Sequence, residues 1–145
     1  FKDFRTGWRG YEETMTKINR FKRLAAAADV ICKGEEEQYE RKRLSLLKAR
    51  QQAERLTAIG SRPDGATMLL PEIWCARLSR TFAEIARLDD ELEGLARQLQ
   101  LARKRREIAE ERLRGARNKE RLAKQAKDVE THVEIAFHTG RIRLR

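Results

Sequence analysis

The residues best able to do chemistry in this 145-residue chain are two histidines, two cysteines and 23 aspartates and glutamates. His132 and His138 lie six positions apart near the C-terminus, far in the sequence from Cys32 and Cys75. A structural zinc site needs about four such ligands at short, characteristic spacings. A G-x-x-x-x-G-K-[ST] loop, which would hold the phosphates of a nucleotide, is also absent from the sequence. The sequence therefore predicts no metal site, no cofactor site and no catalytic residue.

Basic side chains are the second chemical feature, because 33 lysines and arginines give the chain a net charge of +10. One basic cluster is Arg103-Lys104-Arg105-Arg106, and a longer Arg/Lys-rich stretch runs from Arg112 to Arg121. Such surfaces attract acidic side chains or phosphates. A solvated helix face that pairs with its own glutamates has the same composition. The charge is therefore compatible with an acidic protein, nucleic acid or an anionic membrane as partner, and selects none of them.

Two long helices must position these side chains. Apolar residues recur at alternating steps of three and four in two stretches, which is the heptad pattern of a coiled coil. The first ladder consists of Ile18, Phe21, Ala25, Ala28, Cys32, Tyr39, Leu46, Ala49, Ala53 and Leu56, with Glu35 and Lys42 as polar steps. The second consists of Trp74, Leu78, Thr81, Ile85, Leu88, Leu92, Leu95, Leu99, Ala102, Ala109, Leu113 and Ala116, with a skip at Arg106. This pattern predicts an all-α fold, a long antiparallel two-helix coiled-coil hairpin.

The hairpin is expected to span residues 14–130. Its bend is expected at Gly60-Ser61-Arg62-Pro63-Asp64-Gly65, the only dense turn signal in the sequence. Gly60 is placed to cap the first helix, and Pro71 suits the first turn of the second. The predicted segments are an N-terminal cap over 1–13, helix one over 14–59, a loop over 60–70, helix two over 71–130 and a basic tail over 131–145.

The two ends of the chain have different patterns. Gly7 and Gly10 predict an irregular or partly helical cap. In the tail, the large apolar residues Val133, Ile135 and Phe137 occupy every second position, which favours a small β-like hairpin. A lone hairpin is marginal in water, so disorder or an extension of helix two stays open.

A two-helix hairpin offers no concave site, so the fold favours a protein that is not an enzyme. Pairing from the loop places Cys32 opposite about residue 97 and leaves residues from about 112 to 130 beyond the end of helix one. Cys32 and Cys75 are then roughly 30 Å apart, which predicts free thiols and a reducing, cytoplasmic compartment. No apolar run reaches the roughly 20 residues needed to span a bilayer.

The order and lengths of these segments resemble the FliJ/YscO family, the central stalk proteins of flagellar and type III secretion ATPases. The resemblance covers about residues 20–130. It rests on a basic start to helix one, Asn19-Arg20-Phe21-Lys22-Arg23-Leu24, and on an aromatic-bearing opening of helix two over 71–85. The third matching segment is the Arg/Lys-rich stretch over 111–122.

The resemblance implies a non-enzymatic stalk or adaptor that couples a hexameric secretion ATPase to an export-gate protein in the membrane. The implied location is cytoplasmic, peripheral to the inner membrane through these partners, in either a flagellar or a virulence-type system. The positions that match the gate-binding segment are Trp74, Leu78 and Phe82. Those that match the ATPase-binding segment are Arg112, Arg114, Arg117, Lys119 and Arg121.

Two other functions stay open from the sequence. The net charge of +10 is also compatible with a coiled coil that binds nucleic acid. A homo-oligomeric structural rod is the third reading, because a two-helix seam leaves apolar surface that a second copy can cover.

Overall fold

The computed structural model describes residues 2–62 and 70–143, and the side chains of residues 9–62 and 70–140. Helix α1 is Lys2–Gly60 and helix α2 is Pro71–Arg143, of 59 and 73 residues. The two helices pack against each other, and the described residues contain no strand. The predicted all-α helical hairpin is therefore confirmed. The turn predicted at Pro63-Asp64-Gly65 lies outside the described residues.

Both helices contribute to each of two compact units. Unit 1 consists of Phe1–Ala28 and Arg105–Arg145, and unit 2 consists of Asp29–Lys104.

The core of unit 2 is the predicted seam between the helices. Cys32, Leu46 and Ala53 of α1 are buried, and so are Leu88, Leu99, Ala102 and Thr81 of α2. Every other ladder position of unit 2 is half-buried, so the predicted heptad phase is confirmed.

Cys32 is fully buried and packs with Leu99, Ala102 and the half-buried Tyr39. Its partners lie two and five residues beyond the predicted position 97, so the register is shifted slightly. Cys32 and Cys75 are both free thiols.

The seam of unit 1 is less well buried. Ile18, with 5% of its surface exposed, is the one buried side chain among the described residues of this unit. The other ladder positions of the unit are half-buried: Phe21, Ala25 and Ala28 of α1, and Ala109, Leu113 and Ala116 of α2.

Both chain ends are helical. For the tail this is the extension of helix two that the sequence left open, and the favoured β-like hairpin was wrong; the start of helix one predicted at residue 14 was also wrong. Helix α1 begins at Lys2 instead of residue 14, and α2 continues to Arg143 without the small β-like tail. Extending an existing helix gains one hydrogen bond for each residue fixed, whereas a new hairpin must be nucleated. That gain outweighs the roughly 1 kcal/mol cost of a glycine such as Gly10 or Gly140 within a helix.

The part of α2 that α1 leaves uncovered also differs from the prediction. Ala116 and Glu120 are half-buried, although both fall in the 112–130 stretch expected to be uncovered. The wholly exposed part of α2 is instead residues 121–140. The prediction placed the start of helix one about twelve residues too late, which explains the difference.

Gly60 has a different role from the predicted cap. No described glycine has a positive φ, so Gly60 is not the left-handed residue of a C-cap motif. The indole ring of Trp74 lies directly against it. A Cβ atom at Gly60 would lie 2.8 Å from Trp74 Cε2 and still closer to Cζ2. The ring Nε1–H of Trp74 donates to the Leu56 carbonyl at 2.9 Å, so this contact joins the end of α1 to the start of α2.

We predict that Gly60→Ala lowers the free energy of unfolding by about 1–3 kcal/mol, because the new methyl group overlaps the indole. Gly94→Ala is the matched control. A Cβ atom there meets nothing within 4 Å, so the change should be neutral or stabilising by up to about 1 kcal/mol through helix propensity. Urea unfolding followed by circular dichroism measures both, and equal effects of the two substitutions would contradict the assigned role of Gly60.

Three ion pairs join α1 to α2 beside the seam of unit 2. Lys42 Nζ lies 2.6 Å from Glu91 Oε2, Arg50 lies 3.2 Å from Asp89, and Arg103 lies 3.5 Å from Glu36. Lys42 is one of the polar steps of the first ladder, so its partner explains how a charge is accommodated there. The hydrogen bond from Lys42 lowers the pKa of Glu91 more than any other interaction does.

Because its folded pKa is lowered, Glu91 stabilises the fold above its unfolded pKa of about 4.3 and loses this effect as the pH falls through the folded pKa. We therefore predict that Glu91→Gln lowers the melting temperature at pH 7 and has little effect near pH ~2. Glu54→Gln is the control, since Glu54 is exposed and forms no ion pair with a described residue. An equal loss at both pH values would mean that packing, not charge, holds Glu91.

Candidate partner-binding surface

The positive charge of the chain is concentrated in unit 1. This unit contains 19 lysines and arginines against ten aspartates and glutamates, a net charge of +9. Unit 2 contains 14 basic against 13 acidic residues, a net charge of +1. The overall charge of +10 is thus a property of one unit, which the sequence alone did not indicate.

Eight of the 14 basic residues of unit 2 form ion pairs with carboxylates of the same unit, whereas others, such as Lys48 and Arg55, form none with a described residue. Besides the three ion pairs between helices, several pairs join side chains three or four residues apart within one helix. These are Asp29–Lys33, Glu37–Arg41, Glu40–Arg43, Glu84–Arg87, Arg87–Glu91 and Glu93–Arg97. A surface whose cations already have anionic neighbours has little charge to offer a partner.

The basic stretch of α2 in unit 1, by contrast, contains cations without ion-pair partners among the described residues. The five predicted residues, Arg112, Arg114, Arg117, Lys119 and Arg121, are all exposed. None of them forms an ion pair with another described residue. The segment Arg112–Arg121 has a net charge of +4, because Glu120 is its only acidic residue. Glu120 is half-buried and pairs with Lys124 at 3.2 Å. We call these five cations the basic cluster.

The three predicted aromatic and apolar residues lie in unit 2 and have unequal exposure. Trp74 is half-buried against Gly60, and Leu78 is half-buried on the seam. Phe82 follows the buried Thr81 and has 53% of its surface exposed. Of the three, Phe82 therefore has the most exposed side chain, as its position beside the seam predicted.

One further exposed surface was not predicted from the sequence. Along the exposed end of α2, apolar residues recur at steps of four and three: Leu122, Ala126, Val129, Val133 and Ala136. We call this set the second stripe. Its heptad spacing was the signal that could have predicted it. The alternation of Val133, Ile135 and Phe137 indicated a strand instead, so this spacing was overlooked.

The described residues contain no group of three or more His, Cys, Asp or Glu side chains that could hold a metal ion. Within the same residues, neither helix is both long and apolar enough to cross a bilayer. Both basic-cluster and stripe residues are instead arranged as open surfaces of α2.

Comparison with known protein families, with curated proteins and with solved structures found no match to this chain.

Proposed function

We propose that the chain is a non-enzymatic coiled-coil adaptor that acts when an acidic protein surface binds unit 1. The observation that carries this proposal is the separation of charge, +9 on unit 1 against +1 on unit 2. The basic cluster supplies five exposed cations without partners among the described residues. Charges of this kind steer association and give electrostatic specificity without a pocket.

The resemblance to the FliJ/YscO family makes the proposal more specific. In this account the acidic partner is a hexameric secretion ATPase, and the chain is the stalk that couples it to an export-gate protein in the membrane. Phe82 is the side chain we assign to the gate contact, because it is the most exposed of the three candidates. The chain would then lie at the inner membrane only through its partners.

An acidic protein is favoured over nucleic acid by the position of the basic cluster. Basic helices that read DNA usually precede the heptads of a parallel zipper, whereas this cluster lies late in the second arm of a hairpin.

We predict that the wild-type chain binds the secretion ATPase from the same genome and stimulates its ATP hydrolysis. Arg114→Glu combined with Arg117→Glu should weaken binding at least about tenfold, because it reverses two charges at the interface. The helix content should not change, since both side chains are exposed. Isothermal titration and circular dichroism measure the two properties.

The matched control is Lys48→Glu combined with Arg55→Glu in unit 2. Both residues are exposed and form no ion pair with a described residue, so the net charge changes equally. Binding by this variant should stay close to wild type. If the wild-type chain fails to bind the ATPase at low salt, the stalk proposal is wrong. If it instead binds DNA or RNA with an affinity that falls steeply with salt, nucleic acid is the partner.

A further inference from the structure

The second stripe is an apolar surface that the rest of the described chain leaves uncovered. Leu122, Val129 and Val133 are 59%, 62% and 60% exposed, and Ala126 and Ala136 are exposed as well. The five residues span two heptads on one face of α2 in unit 1. Gln125, Asp128 and His132 flank Val129 and Val133 along a shallow groove on the same helix.

This face is distinct from the seam that binds α1. The seam of α2 in unit 1 passes through Leu113, Ala116 and Glu120, which are half-buried. Leu122 follows Glu120 by two residues, which places it roughly 200° further around the helix. The seam phase also becomes polar beyond this point, at Lys127, Glu130 and Glu134. The apolar pattern of α2 thus moves from one face to another near residue 120.

The charge around the second stripe is compatible with a second copy of the chain. Residues 122–140 contain two lysines, one aspartate and two glutamates, a net charge of −1, although the whole chain has +10. The preceding segment Arg112–Arg121, at +4, would repel a copy of itself. The second stripe is therefore an exposed apolar surface of unit 1 whose own segment is nearly neutral.

The residues beside the second stripe favour self-pairing over a different helix. Pairing helices that select unlike partners carry charges at the positions flanking their core. Here the corresponding positions over 123–137 are Ala123, Gln125, Glu130, His132 and Phe137, of which only Glu130 is a formal charge. These flanking residues therefore provide little charge repulsion against an identical helix.

The same flanking residues favour one relative orientation of the two paired helices. In a parallel pair, Gln125 of one copy lies beside Glu130 of the other, and His132 lies beside Phe137. In an antiparallel pair with the stripes aligned, Glu130 comes close to Glu130 of the other copy. The parallel arrangement keeps the two Glu130 carboxylates apart and covers part of Phe137, which is 74% exposed. It also brings the two Arg112–Arg121 segments, each at +4, towards one another, which weakens the association.

We propose that two copies of this chain associate through the second stripe, with residues 122–140 paired as parallel helices. An interface of two heptads is smaller than the roughly 1,200–2,000 Å² of a stable complex. The dimer is therefore weak, with a dissociation constant on the order of 10–100 μM.

Sedimentation velocity over about 5–500 μM tests the proposal, because this range brackets the expected dissociation constant. Wild type should change from monomer to dimer. Val129→Glu combined with Val133→Glu should raise the dissociation constant at least about tenfold, because it places two charges in the apolar contact. Both side chains are about 60% exposed in the single chain, so the variant should keep its helix content.

Thr131→Glu combined with Ile135→Glu is the matched control. It adds the same two charges at the same spacing on the other side of α2, and Ile135 is 60% exposed. Its dissociation constant should stay within about twofold of wild type. A wild-type chain that stays monomeric throughout would overturn the proposal, and so would equal effects of the two variants.

Orientation is tested by Ala126→Cys in a Cys75→Ser background, where the remaining Cys32 is fully buried. Parallel pairing places the two new thiols at the same level, so mild oxidation should yield a covalent dimer. Dimers that sediment normally but do not crosslink would overturn the parallel arrangement. Arg114→Glu combined with Arg117→Glu should dimerise at least as well as wild type, so loss of ATPase binding and loss of dimerisation are separable.

Discussion

The structure depends on a narrow seam whose buried residues are mostly small. Cys32, Ala53, Ala102 and Thr81 occupy it in unit 2 beside a few leucines. Small side chains let two helices approach closely but bury little apolar area per residue. Register must then be specified by other contacts, and the ion pair between Lys42 and Glu91 and the packing of Trp74 on Gly60 do so.

Because the core is small, most side chains lie at the surface. The two units differ in the charge of that surface. Unit 2 has a net charge of +1 and pairs more than half of its cations with its own carboxylates, while unit 1 keeps an excess of nine positive charges. Unit 1 also carries the second stripe, which is nearly neutral and apolar. One unit therefore carries two chemically different exposed surfaces, the basic cluster and the second stripe. Neither requires a pocket.

The sequence predicted the hairpin because its seam repeats over many heptads, and periodicity averages out single exceptions such as Lys42 and Arg106. The helix boundaries next to the loop were predicted within one residue by Gly60 and Pro71. The far ends were not, because Gly10 and the alternation around Ile135 are local signals that a long existing helix overrides.

The remaining features need spatial information. The contact between Trp74 and Gly60 depends on two residues 14 positions apart across the loop, and the register depends on which side chains of the two helices meet. The basic cluster was recognisable as a charge run, but its lack of ion-pair partners among the described residues was not. Phe82 was correctly expected to be exposed because it lies one position from the seam.

The pairing of α1 with α2 in this register is tested most directly by a disulfide between Cys32 and a cysteine at position 102. Ala102 packs with Cys32 in the buried cluster of unit 2. In a Cys75→Ser background, Ala102→Cys should form an intramolecular disulfide on oxidation. Leu101→Cys, at a position 54% exposed on α2, should not. No disulfide at position 102, or equally efficient bonding at position 101, would contradict the seam on which the account depends.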